Sequence, residues 1–96
     1  MLEKQIEQKL IKGVKELGGM CLKFVSPGTA GVPDRIVLTK TGRVIFVELK
    51  TDTGSLTKLQ KYVIGRMKSR NADVRVLKGL DEVKNFLAEL ERSDGI

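Results

Sequence analysis

Pro33-Asp34-Arg35-Ile36-Val37-Leu38-Thr39, then Lys40-Thr41-Gly42, then Arg43-Val44-Ile45-Phe46-Val47-Glu48-Leu49-Lys50 is the stretch that decides the fold. Aliphatic and β-branched residues crowd both arms, and a short glycine-containing link joins them, which is the pattern of a hairpin. Val44-Ile45-Phe46-Val47 has no polar residue, so the second arm is expected to be buried on both faces. Each arm carries a carboxylate at its outer end. Asp34 and Glu48 are equidistant from Thr41, so antiparallel pairing sets them close across the ladder at one end of the sheet. Lys50, two residues past Glu48, points to the same face.

Upstream, Leu2, Ile6, Leu10, Val14 and Leu17 recur at helical spacing, which predicts an amphipathic helix over 2–17 stopped by Gly18-Gly19. Met20 to Val25 reads as a strand, and Ser26 to Gly31 as a loop. Downstream, Thr57, or Ser55 one turn earlier, is the expected N-cap of a second helix. That helix carries Leu59, Val63, Ile64 and Met67 on one side and ends near Asn71. Val74 to Leu77 is a fourth strand. A last helix is expected from Asp81, its N-cap, through Val83, Phe86, Leu87 and Leu90, with Arg92 to Ile96 frayed. The order α-β-β-β-α-β-α describes an α/β fold. The first three strands form an antiparallel meander, and the helix after the third is a crossover to a parallel fourth. The expectation is a mixed four-stranded sheet flanked by helices, in a single domain over 1–96.

The carboxylates carry the chemistry. Glu48 interrupts an apolar run, and a buried carboxylate is costly without a cation, a metal or a proton. Lys50 is the simplest partner, as a plain salt bridge. Two carboxylates set opposite one another repel, and a divalent cation between them resolves the conflict. With Lys50 on the same face, such a cation and a water beside a phosphate would suit phosphodiester hydrolysis.

Composition narrows the alternatives. There are 18 Lys+Arg against 12 Asp+Glu, a net charge of +6 that favours a polyanionic partner such as nucleic acid. Histidine is absent, which removes Ser-His and Cys-His nucleophilic machinery. With one cysteine, Cys21, and no histidine, a zinc site is not expected. No apolar stretch approaches the ~20 residues that span a bilayer. The charged, helical start has no signal-peptide pattern, so a cytoplasmic location is expected.

Pro33-Asp34 followed by Glu48-Leu49-Lys50 resembles the PD-(D/E)xK nuclease signature, which implies a restriction-endonuclease-like core. A wider string is similar to the VRR-Nuc branch, in particular to its small stand-alone phage and bacterial forms. It runs from Glu3-Lys4-Gln5-Ile6-Glu7 through Leu22-Lys23-Phe24, Ser26-Pro27-Gly28, Gly31-Val32-Pro33-Asp34-Arg35 and Val47-Glu48-Leu49-Lys50 to Leu59-Gln60. The resemblance implies that Asp34, Glu48 and the backbone carbonyl of Leu49 bind metal and that Lys50 is the catalytic lysine. It also implies a glutamate from the first helix, Glu7 or Glu3. Glu7 is preferred because Val14 and Ile11 bracket it on the helical wheel. Lys23, Ser26, Arg35 and Gln60 are carried as DNA-binding or supporting residues. Lys58, Lys61, Arg66, Lys68 and Arg70 give the second helix a basic face that either contacts DNA or is simply solvated.

The implied activity is a Mg²⁺-dependent endodeoxyribonuclease, with Mn²⁺ able to substitute. The implied substrate is a Holliday junction or other branched DNA, cut inside the cell, a bacterial host if the chain is phage-encoded. Symmetric cleavage implies a homodimer, for which Ile11, Phe86, Leu87 and Leu90 are the expected contact. The alternative is a non-catalytic nucleic-acid-binding module with the same fold.

Overall fold

The computed structural model describes residues 2–93. Its elements are α1 (Glu3–Glu16), β1 (Met20–Lys23), β2 (Arg35–Leu38), β3 (Val44–Lys50), α2 (Lys58–Lys68), β4 (Val74–Lys78) and α3 (Gly79–Ser93). The sheet order is β1-β2-β3-β4. β1–β2 and β2–β3 pair antiparallel, and β3–β4 pair in parallel across the α2 crossover. The expected α/β order and mixed sheet are therefore present. Among the described residues, no helix is long and apolar enough to cross a membrane.

Local chemistry accounts for the boundaries. Gly18 takes φ +83°, and Gly19 N–H returns to the Val14 carbonyl at 2.9 Å, closing α1 in the left-handed turn that glycine accommodates. The hairpin closes through Thr39 N–H to Arg43 O and Gly42 N–H to Thr39 O, both 2.9 Å. α2 ends at Lys68, and the turn after it runs to Asn71, which holds φ +65°. Asparagine tolerates that conformation better than other residues with a Cβ.

The core lies on one face of the sheet. Ile45, Val47 and Leu49 of β3 and Val37 of β2 meet Ile6, Leu10 and Val14 of α1 and Val83, Phe86 and Leu90 of α3. Each such side chain contributes about 1.5–3 kcal/mol when withdrawn fully from water. α1 and α3 approach closely because Gly13 leaves room for Leu87.

The other face is covered unevenly. Val44 is 47% exposed and Phe46 half-buried, so burial of β3 on both faces holds only toward its C-terminal end. α2 lies over that end and leaves the rest open.

Several expectations change. α3 begins at Gly79 rather than Asp81, which sits within the first turn as a charge favourable to the helix dipole. Arg92 and Ser93 belong to α3, whereas 94–96 lie outside the described residues. β1 ends at Lys23. Leu59 is 48% exposed although it shares α2's apolar arc. Phe86 and Leu90 are 3% exposed within the monomer's own core and Leu87 packs against it, so the expected dimer contact on α3 is already used inside the chain. Exposed apolar side chains lie elsewhere, Met20, Leu22 and Val44 of the sheet among them.

Candidate active site

Strand register brings the two acids together. Arg35 pairs with Val47, so the next pair outward is Asp34 with Glu48. The backbone of Asp34 is pinned by Phe24 N–H, which donates to its carbonyl at 2.8 Å. Its side chain is pinned as well, because Oδ2 accepts the Leu49 N–H at 3.2 Å. A carboxylate at the mouth of β2 is thus tied to the backbone of β3, one residue past Glu48.

Glu48 is 2% exposed. Its Oε2 accepts Gln60 Nε2 at 3.1 Å and lies 3.6 Å from Lys50 Nζ. Its Oε1 is buried with no hydrogen-bond partner. Burial first, and the facing Asp34 second, push the Glu48 carboxyl up to about 7, while Lys50 acts against them. An orphaned buried oxygen costs about 1–3 kcal/mol. A fold that keeps one, aimed beside a second carboxylate, has the features of a cation site. The donors are hard oxygens, which suit Mg²⁺ or Mn²⁺ and not a thiophilic metal.

Gln60 is held from both sides. Thr57 caps α2 by accepting Gln60 N–H at 3.1 Å, and Gln60 Oε1 accepts the Thr57 N–H at 2.9 Å. This capping box fixes the amide so that its nitrogen faces Glu48. The sequence signal is the Thr57-Lys58-Leu59-Gln60 spacing of a capping box, which reading the cap and the glutamine separately misses.

The remaining candidates fall elsewhere. Glu7 Oε2 accepts Arg35 Nη2 at 3.0 Å, with Arg35 only 13% exposed. Among the described residues, no group of three or more His, Cys, Asp and Glu is spaced to hold a metal, so Glu7 does not join Asp34 and Glu48 in this arrangement. Glu3 is exposed in the first turn of α1. Lys23 is exposed and pairs in register with Arg35, which by alternation sets both on the α1 side, away from Glu48. Ser26 is half-buried, beside Phe24 and Phe46 in a groove next to α2. The basic residues of α2 are all exposed. Cys21 is half-buried and free, and burial raises its thiol to about 11, which leaves it unreactive at neutral pH.

Comparison with known proteins gives a consistent result. The family model described as VRR-NUC domain matches residues 2–81. "Putative nuclease p44" of Acyrthosiphon pisum secondary endosymbiont phage 1 is 40% identical over 79 residues, covering 82% of this chain and 85% of the relative. A solved VRR_NUC domain superposes with a TM-score of 0.84 at 25% identity, covering 90% of this chain and 94% of its own. A solved VRR_NUC domain protein superposes with a TM-score of 0.74 at 18% identity over 96% and 89%, a likeness of fold.

Proposed function

The chain belongs to the VRR-NUC domain family, and on that premise we propose that this nuclease is a metal-dependent endonuclease selective for branched DNA, the four-way junction foremost. The observation that carries the proposal is the buried Glu48 facing the half-buried Asp34, with one oxygen of Glu48 unpartnered.

Asp34, Glu48 and the carbonyl of Leu49 would hold the Mg²⁺. When bound, the ion supplies a Lewis acid for the phosphoryl oxygen and lowers the pKa of an attacking water. The chain's own residues do the rest. Asp34 is held in place by Leu49 N–H, and Glu48 by Gln60 and Lys50. Lys50, whose side chain is 20% exposed, would donate from its ammonium to the water or to a phosphate oxygen. Glu7 would complete the ligand set by giving up Arg35.

Selectivity for structure follows from size and charge. The described residues form one small sheet and its flanking helices, which leaves little room for reading base edges, and the excess of positive charge favours phosphate contacts, which position DNA without reading sequence. Two sites related by a two-fold axis would match the pseudo-symmetry of a four-way junction. The reading therefore includes a homodimer, acting inside the cell that holds the DNA.

The test is incubation with synthetic four-way junctions, flaps and plain duplex, with Mg²⁺ and with chelator. Cleavage of branched DNA only in Mg²⁺ is expected. Binding without cleavage in any divalent metal would leave a non-catalytic DNA-binding module.

A further inference from the structure

The face of the sheet that carries Glu48 continues into a groove. Phe46 precedes Glu48 by two residues on β3, so by alternation its ring lies on the same face, about 7 Å along the strand. Between that face and α2 is a cavity of about 450 Å³, within the roughly 300–1,000 Å³ range of small-molecule sites. Its walls are apolar: Phe24 and Phe46, whose ring centroids stand 5.6 Å apart, face Val63 and Met67.

The rim has a different chemistry. Arg66 lines the groove from α2, and Arg70 from the turn that follows it. Arg66 lies 5.8 Å over the Tyr62 ring and donates to its hydroxyl at 3.3 Å. Arg70 donates to the Arg66 carbonyl at 3.0 Å. Neither guanidinium has a carboxylate partner among the described residues, whereas Arg35, Arg43 and Arg75 are each paired with an acid. Tyr62 is 61% exposed, a large ring held at the mouth by a cation.

We propose that this groove receives an unpaired nucleotide of the substrate strand next to the bond cut at Asp34 and Glu48. Its base enters against Phe24 and Phe46, and its phosphate meets Arg66 and Arg70. The inference rests on the nuclease reading and extends it. It makes the preferred substrate a branch with unpaired nucleotides at the crossover, not a fully paired junction. Flat apolar walls select a π-face without selecting a base, so no sequence preference accompanies it. Charge complementarity favours this occupant over a second copy of the chain, which would bring further arginines toward the two already there. An aromatic floor with unpaired cations at its edge is the combination that single-stranded nucleic acid uses elsewhere.

The test compares two four-way junctions, one fully paired and one with a short unpaired gap at the branch. Binding is measured in chelator, with 2-aminopurine in the gap as the probe. The wild-type protein is expected to bind the gapped junction about tenfold tighter, the scale of one lost stacking contact, and to change the probe's fluorescence. In Phe24→Leu, which keeps the wall apolar, and in the Arg66→Ala/Arg70→Ala pair, the ratio of the two affinities should fall toward one. Circular dichroism on each variant confirms that it folds. Equal affinity of the wild type for both junctions, or a ratio unchanged in every variant, overturns the proposal. So does a silent probe with a monomer–dimer shift in Phe24→Leu, because the groove would then be covered by a second copy. Cleavage by the wild type is followed separately in Mg²⁺. A binding preference without any cleavage supports the groove's occupant and overturns the nuclease reading.

Discussion

Gln60 Nε2 donates to Glu48 Oε2 at 3.1 Å, while the other end of the same amide accepts the Thr57 N–H at 2.9 Å. One side chain therefore closes the first turn of α2 and orients the carboxylate on β3. Two substitutions separate those tasks. Gln60→Ala removes both, and should cost about 1 kcal/mol of stability through the lost cap as well as turnover. Gln60→Glu keeps an oxygen for Thr57 N–H but turns a donor into a charge facing Glu48. It should hold more of the cap than Gln60→Ala and cleave no better. Urea melts beside single-turnover rates decide this. A Gln60→Glu variant with wild-type turnover would remove Gln60 from the site.

The raised Glu48 carboxyl makes a stability prediction with a definite sign. In the metal-free protein its folded value is about 7 against an ordinary 4.5. The folded state therefore binds the proton more tightly than the unfolded chain does. That contribution is fully present below about pH 4.5 and is lost as pH rises through 7. At 1.36 kcal/mol per unit the loss is on the order of 3 kcal/mol. No histidine titrates in the same window. Denaturation in chelator from pH 5 to 8 should show the decline in wild type and a flatter profile in Glu48→Gln. Parallel profiles would place the titration elsewhere.

Metal should reverse that decline. Mg²⁺ added at pH 8 is expected to raise the wild-type midpoint and to leave Glu48→Gln unmoved. Cleavage should follow Mg²⁺ or Mn²⁺ and stop in chelator, with no rescue by zinc or calcium. Glu7→Gln tests the helix ligand. If Glu7 leaves Arg35 for the ion, half-maximal activity will need several-fold more Mg²⁺, and an unchanged requirement excludes it.

The hairpin and the two acids were legible because they depend on local pattern alone. A β run, a glycine turn and equal spacing fix the register by counting, and the register fixes which carboxylates meet. The resemblance to VRR-Nuc sequences then gave Lys50 its expected role. What could not be read depends on which helix covers which face. Phe86 and Leu90 look like any apolar stripe until α3 packs against α1, where Gly13 makes room for Leu87. Val44 reads as buried, yet it is exposed because α2 is short and lies over the other end of the strand. Glu7 falls within an apolar arc on the helical wheel. Nothing local says that Arg35, on the opposite face of the sheet from Glu48, will claim it.

Removal of charge without change of shape should separate binding from chemistry. Asp34→Asn and Glu48→Gln are expected to bind junctions in chelator as the wild type does, and to lose cleavage by at least about a hundredfold, the usual scale for a missing catalytic group. Lys50→Ala should also lose cleavage while keeping the Mg²⁺-dependent rise in stability. Its ammonium stands beside Glu48, not among the oxygen donors. Near wild-type cleavage by any of the three variants would show that the site is misassigned.

The assembly prediction rests on the sheet face that α2 leaves open. Met20 pairs with Leu38, which pairs with Val44, and Leu22 with Ile36, which pairs with Phe46, so these side chains form two apolar rows across three strands. Met20, Leu22 and Val44 are 56%, 40% and 47% exposed. A patch of this kind marks an interface more often than an ordinary surface, and a stable one buries roughly 1,200–2,000 Å² in total. The outer row lies at the end of the sheet away from Asp34 and Glu48, so two copies joined there keep both sites accessible. The wild-type protein should sediment as a dimer and nick a junction in symmetric pairs. Met20→Glu, in that outer row, should give a folded monomer that nicks the two strands independently. A wild-type monomer at micromolar concentration, both with and without junction DNA, would end the resolvase reading and leave a nuclease that cuts one strand at a time.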